Sequence, residues 1–146
     1  MSKVEDFLTD IEEQEIVDAI RVAEKNTSGE IRVHIEHSSG KDPLLRAKEV
    51  FHLLKMDNTK EENGVLIYVA VNDHQFAIYG DRGINKAVPT DFWNTTKEII
   101  QSYFKQKQIK KGLVEGILKA GEELQKHFPW QHYDTNELSN EISKGS

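Results

Sequence analysis

The sequence predicts an α/β fold, a three-layer α/β/α sandwich with a mixed central β-sheet, and three observations carry that prediction. Val65 to Val71 is a continuous apolar run, the pattern of a strand covered on both faces. Glu30 to His37 alternates strictly, with Ile31, Val33 and Ile35 facing one way and Glu30, Arg32, His34 and Glu36 the other. Apolar stripes at helical spacing precede, separate and follow these two stretches.

Thr9 and Glu12 have the spacing of a capping box, so a first helix starts there. Ile16, Val17, Ile20 and Ala23 form its apolar face, and Asn26-Thr27-Ser28-Gly29 stops it. The alternating segment 30–37 then reads as a half-exposed strand. After the turn-rich Ser38 to Pro43, the residues Leu44, Leu45, Ala47, Val50, Phe51 and Leu54 mark a crossover helix ending near Lys55. Residues 30 to 70 thus form a β-helix-β unit with parallel strands. Asn72-Asp73 is a tight turn into a third strand, which ends at the loop Gly80 to Asp91. Thr90 is placed to cap a helix carrying Phe92, Trp93, Thr96, Ile99, Ile100, Tyr103 and Phe104. Ile109, Leu113, Ile117, Ala120 and Leu124 give a further helix, ending at Pro129. Gly112, Gly116 and Gly121 within it cost about 1 kcal/mol each relative to alanine, which points to close backbone approach by a neighbour. The domain is expected over 1–128. Residues 129–146 form a polar tail whose Trp130, Tyr133, Leu138 and Ile142 are too sparse for a core element.

Composition narrows the function classes. At 146 residues the chain is long enough for one domain with a real core. Acidic residues outnumber basic ones by 25 to 19, and the net charge of -6 argues against nonspecific binding to nucleic acid or anionic lipid. There is no cysteine, so disulfides, thiolate metal sites and a cysteine nucleophile are excluded. No apolar run approaches the roughly 20 residues of a membrane helix, and Met1 to Asp10 shows no signal-peptide core, so a cytoplasmic protein is expected.

The topology concentrates acidic residues. The loops before the first and second strands share one end of the sheet, and the hairpin returns the third strand to it. Ser28-Gly29-Glu30, Asp57 to Asn63 and Gly80 to Asp91 should converge, gathering Glu30, Asp57, Glu61, Glu62, Asp81 and Asp91. Such a cluster repels itself unless something positive joins it. Carboxylates, an asparagine amide and backbone carbonyls are the oxygen donors that calcium or magnesium takes. The bland alternative has Asp57 and Asp91 serving turns and helix ends, Glu61 and Glu62 in solvent, and Glu30 paired with Arg82. No EF-hand loop, Walker loop, nucleophile elbow or HExxH is present. The six histidines show no close ligand spacing except His127 with His132 and are read as noncatalytic.

The ordered motifs Thr27-Ser28-Gly29-Glu30-Ile31-x-Val33, Asn63-Gly64-Val65-Leu66-Ile67-x-Val69-Ala70, Gly80-x-x-Gly83, Thr90-Asp91 and Gly112-Leu113-x-x-Gly116 resemble the TPM domain family over about residues 7 to 128. In size the chain looks like a stand-alone soluble member of the kind found in marine Bacteroidetes. The resemblance implies an α/β/α sandwich, binding of Ca2+ or Mg2+ at the converging loops, and the acid phosphatase activity of some members. The metal ligands it implies, together with the residue reading, are Glu30, Asp57, Glu62, Asn63, Asp81 and Asp91. A noncatalytic binding module follows, whose partner is a divalent cation and a protein, as in a membrane-associated complex. The alternative is a divalent-dependent acid phosphatase using Asp81 or Asp91 with Arg82 on phosphate. The family's usual Gly-Tyr-Gly is replaced here by Gly80-Asp81-Arg82-Gly83, which adds a carboxylate beside a guanidinium.

Overall fold

The computed structural model describes residues 7–130 and 140–145. A four-stranded mixed sheet forms the middle layer, in the order β3-β2-β1-β4. The strands are β1 (Glu30–Glu36), β2 (Gly64–Ala70), β3 (Gln75–Gly80) and β4 (Ser143–Lys144). β1 and β2 are parallel with Glu30 opposite Gly64, and β2 and β3 are antiparallel with Val65 opposite Gly80. β2 is buried at every position, as its unbroken apolar run requires.

Helix α1 (Asp10–Glu24) begins with the capping box, Thr9 bonded to the Glu12 amide at 3.1 Å and Glu12 to the Thr9 amide at 3.0 Å. Its Ile16, Ile20 and Ala23 join Ile31, Val33, Ile35, Val65 and Ile67 in the larger core. Helix α2 (Pro43–Leu53) covers the opposite face, where Ala47, Val50 and Phe51 meet Leu66, Tyr68 and Ala77. The helices on both sides make the three-layer sandwich that the patterning implied.

β1 is not half-exposed. Glu30, His34 and Glu36 on its polar side are all buried. Arg46 of α2 reaches across to Glu36, with Nε 2.8 Å from Oε2, and the Tyr68 hydroxyl donates to the same carboxylate. His34 stands 3.1 Å from Glu36, and its other ring nitrogen is 2.9 Å from the Ser143 hydroxyl on β4. His34 and Glu36, which alternation assigns to water, are here closed into a hydrogen-bonded network under a helix.

Two more expectations change. The stretch after β3 is not all loop, because Asp81 caps a short helix, α3 (Arg82–Ala87). Thr90 does not cap the next one: α4 (Asn94–Lys105) follows Trp93 with no side-chain cap. Successive turn bonds, Phe92 to Pro89 and Asn94 to Asp91, carry the chain into it and seat Phe92 in the core. Helix α5 (Ile109–Gln125) packs on α1 and α4 as its glycines require. A β-carbon at Gly116 would lie 2.5 Å from Ile100, and one at Gly121 would lie 2.6 Å from the Ala23 β-carbon. In the tail, Ile142 packs on the larger core and β4 joins the edge of β1. Tyr133 and Leu138 lie outside the described residues.

Candidate functional site

The three loops meet at the amino-terminal end of β1 and β2. The Asn63 amide group donates to the Ser28 carbonyl at 3.0 Å and to Glu61 at 3.2 Å, and the Ser28 hydroxyl donates to Glu61 at 3.0 Å. The third loop is stitched on by Asp81 N–H to the Gly64 carbonyl and Gly83 N–H to the Glu62 carbonyl, both 2.9 Å. Glu62 itself adopts a left-handed φ of 52°, an uncommon conformation for a residue with a side chain.

Asp81 is the centre of this arrangement. One carboxylate oxygen caps α3 by accepting the Arg82 amide at 2.7 Å. The other, Oδ2, is buried and has no hydrogen-bond partner. Burial pushes the Asp81 carboxyl above its ordinary range, and the charges of Glu62 and Asp57 push it the same way. A buried acceptor oxygen left open among negative neighbours is costly to keep and is the feature a cation relieves.

The remaining expected ligands divide by position. Glu62 lies close to Asp81 and holds Arg82, with Nε 3.0 Å from Oε2, so Arg82 pairs here and not with Glu30. Asp57 also acts on Asp81, while its carboxylate is 3.4 Å from His52 Nδ1. Asn63 is buried with its amide hydrogens committed to Ser28 and Glu61. Glu30 is buried at the start of β1, where its charge acts on Glu24. Asp91 is exposed in the turn before α4, and its carbonyl accepts the Asn94 amide at 3.0 Å. Among the described residues no three His, Asp or Glu side chains form a ready metal-holding group.

The TPM domain model matches residues 1–123. The chain belongs to the TPM domain family. Its sequence is 64% identical to the BA42 protein of the psychrophilic bacterium Bizionia argentinensis, whose NMR structure superposes with a TM-score of 0.93 over 99% of this chain and 100% of that one. The N-terminal domain of a P. gingivalis protein shares the fold at 20% identity, with a TM-score of 0.67 over 87% of this chain and 84% of that one. So does the N-terminal domain of the cg2496 protein of Corynebacterium glutamicum, at 12% identity and a TM-score of 0.64 over 95% and 80% of the two chains. No curated protein matches. In this TPM domain no helix among the described residues is long and apolar enough to cross a membrane.

Two acidic residues of the TPM domain escaped the motif reading. Glu24, at the end of α1, accepts the Ile31 amide at 3.0 Å, and burial raises its carboxyl to about 7, with the charge of Glu30 adding to the rise. Glu36 goes the other way. Its burial works upward, but hydrogen bonds from Arg46, Tyr68 and His34 outweigh it and hold the carboxyl at about 2. Glu24 carries no signal in sequence beyond ending a helix. For Glu36 the signal was the mixed charge of Arg32, His34 and Glu36 on one strand face.

Proposed function

We propose that this TPM domain is a noncatalytic binding module that takes a divalent cation, calcium or magnesium, at the three converging loops. The observation that supports the reading is the open, buried Oδ2 of Asp81 beside Glu62 and Asp57. These donors are all oxygens, the set that hard cations prefer. Glu62 comes free for the ion when Arg82 swings outward, which its exposure on the surface permits. Bound, the cation ties the loop before β2 to the start of α3 and holds both as one surface for a protein partner. Asn63 and Glu30 then belong to the rim of the site through the backbone and charges they contribute.

Calcium chloride titrated into the labelled chain tests this. Saturable amide shifts confined to residues around Glu61 to Asn63 and Asp81 to Gly83, lost in Asp81→Asn, are the expected result. Absence of selective change in these loops overturns it. The second reading, a divalent-dependent acid phosphatase, draws on the matching model's name, TPM phosphatase, and on Arg82 standing beside Asp81. A phosphomonoester assay with calcium or magnesium over mildly acid to neutral pH separates the two. Turnover abolished in Asp81→Asn favours the enzyme, and none favours the binding module.

A further inference from the structure

At the opposite end of the sheet lies a cavity of about 830 Å³, within the usual range for small-molecule sites. Phe7 and Leu8 ahead of α1, the end of β2, the β2–β3 hairpin and the turn between α4 and α5 line it. Leu8, Val69, Val71, Phe76 and Phe104 give it an apolar wall, the two phenylalanine rings meeting edge to face at 5.4 Å. Lys105, Lys107 and Lys110 stand on its lining as well.

Lys110 and Lys111 stand in the first turn of α5, against the helix dipole, whereas Lys105 closes α4, where a cation is favoured. Residues 105–111 read Lys-Gln-Lys-Gln-Ile-Lys-Lys, four cations in seven residues of a chain whose net charge is -6. The run contains the start of α5, where Gln108 makes no side-chain cap and the first turn holds no acidic residue. A helix start presents unbonded N–H groups and partial positive charge, so lysines there raise the energy of the free protein. Lys110 is relieved by Glu15 at 3.1 Å, and Lys111 lies 5.4 Å from the Tyr103 ring centre. Lys105 and Lys107 have no carboxylate partner among the described residues. The Glu12 carboxylate on the wall is engaged with the Thr9 amide.

An apolar wall beside a basic rim, where Lys105 and Lys107 lack a carboxylate partner among the described residues, fits one class of ligand. We propose that this cavity binds a single-chain amphiphile with an anionic carboxylate head, its hydrocarbon chain against Phe76 and Phe104 and its head at Lys105, Lys107 and the start of α5. The site is separate from the acidic loops and does not rest on the cation reading.

Decanoate titrated into the full labelled chain, without added divalent ions, is the test, with 1-decanol as the neutral counterpart. Saturable amide shifts at Leu8, Val71, Phe76 and residues 104–110 are expected. Affinity should fall about fivefold in Lys105→Gln/Lys107→Gln and by a similar factor for decanol, the scale of two exposed charges acting on one anion. Both substituted side chains are exposed, so the variant's remaining spectrum should overlay that of the parent. Equal binding of decanol, an unchanged affinity in the double variant, or shifts scattered elsewhere overturns the proposal.

Discussion

The amide of Gly83 donates to the carbonyl of Glu62 at 2.9 Å, and a β-carbon on Gly83 would stand 2.6 Å from that same oxygen. Glycine is therefore required where α3 crosses the loop before β2. Gly83→Ala should lose about 2 kcal/mol or more in urea denaturation, because the obstacle is backbone and cannot rotate away. Its amide shifts should spread through Thr59 to Asn63.

Asp81 gives a prediction with a definite sign. Its folded carboxyl is raised, so its contribution to stability is present below the unfolded aspartate range and is lost as pH rises through the folded value. Without divalent ions, Asp81→Asn should therefore be as stable as the parent in acid and more stable at neutral pH. Calcium should reverse that order by stabilising the parent alone.

Glu24 should titrate where cells live. With its folded carboxyl at about 7, it favours folding in acid and loses that contribution as pH climbs through about 7. Glu24→Gln keeps an acceptor for the Ile31 amide and should gain about 1 to 3 kcal/mol at alkaline pH, with little change in acid. Paired denaturation curves at the two extremes check this.

Glu36 behaves oppositely, since its carboxyl is held down at about 2. Its contribution is present above the unfolded glutamate range and is lost as pH falls toward that value. Arg46→Ala leaves the buried carboxylate without its main partner and should cost about 2 to 4 kcal/mol near neutrality. Acid unfolding, followed by circular dichroism, should begin at a higher pH in that variant.

The helix glycines should differ in severity. At Gly116 the obstacle is the Ile100 side chain alone, whereas at Gly121 it includes the Ala23 backbone, with Cα 3.0 Å from the added carbon. Gly116→Ala should lose less than Gly121→Ala, since alanine's gain of about 1 kcal/mol in helix propensity offsets only a clash that can relax. Thermal unfolding of the two variants gives the comparison.

The parts of the fold governed by local rules could be read from the chain. The Thr9 and Glu12 cap, the apolar run of β2, the parallel pairing of β1 with β2 and the close approach at Gly116 and Gly121 all follow from spacing alone. What escaped depends on partners distant in sequence. The mixed charge of Arg32, His34 and Glu36 does not say which residues will close over Glu36, and Arg46 and Tyr68 do so from other elements, so β1 looked wetter than it is. The short α3 was hidden because six residues carry too little periodicity, although Asp81 before Arg82 is an ordinary capping start. At the candidate site the convergence of loops followed from strand direction. The open oxygen of Asp81 did not, because burial of a single atom is a property of three segments together.

β4 touches β1 through residues far apart in the chain, with Ser143 opposite His34 and their side chains 2.9 Å apart. On the ribosome, synthesis runs from the amino end, so β1, β2, β3 and the helices up to α5 are all synthesised before Ser143 exists. Through that interval the outer edge of β1 around His34 lacks its final strand. A nascent chain stalled before Ser143 thus presents an unpaired strand edge, the kind of surface that chaperones shield and that neighbouring chains on a polysome join.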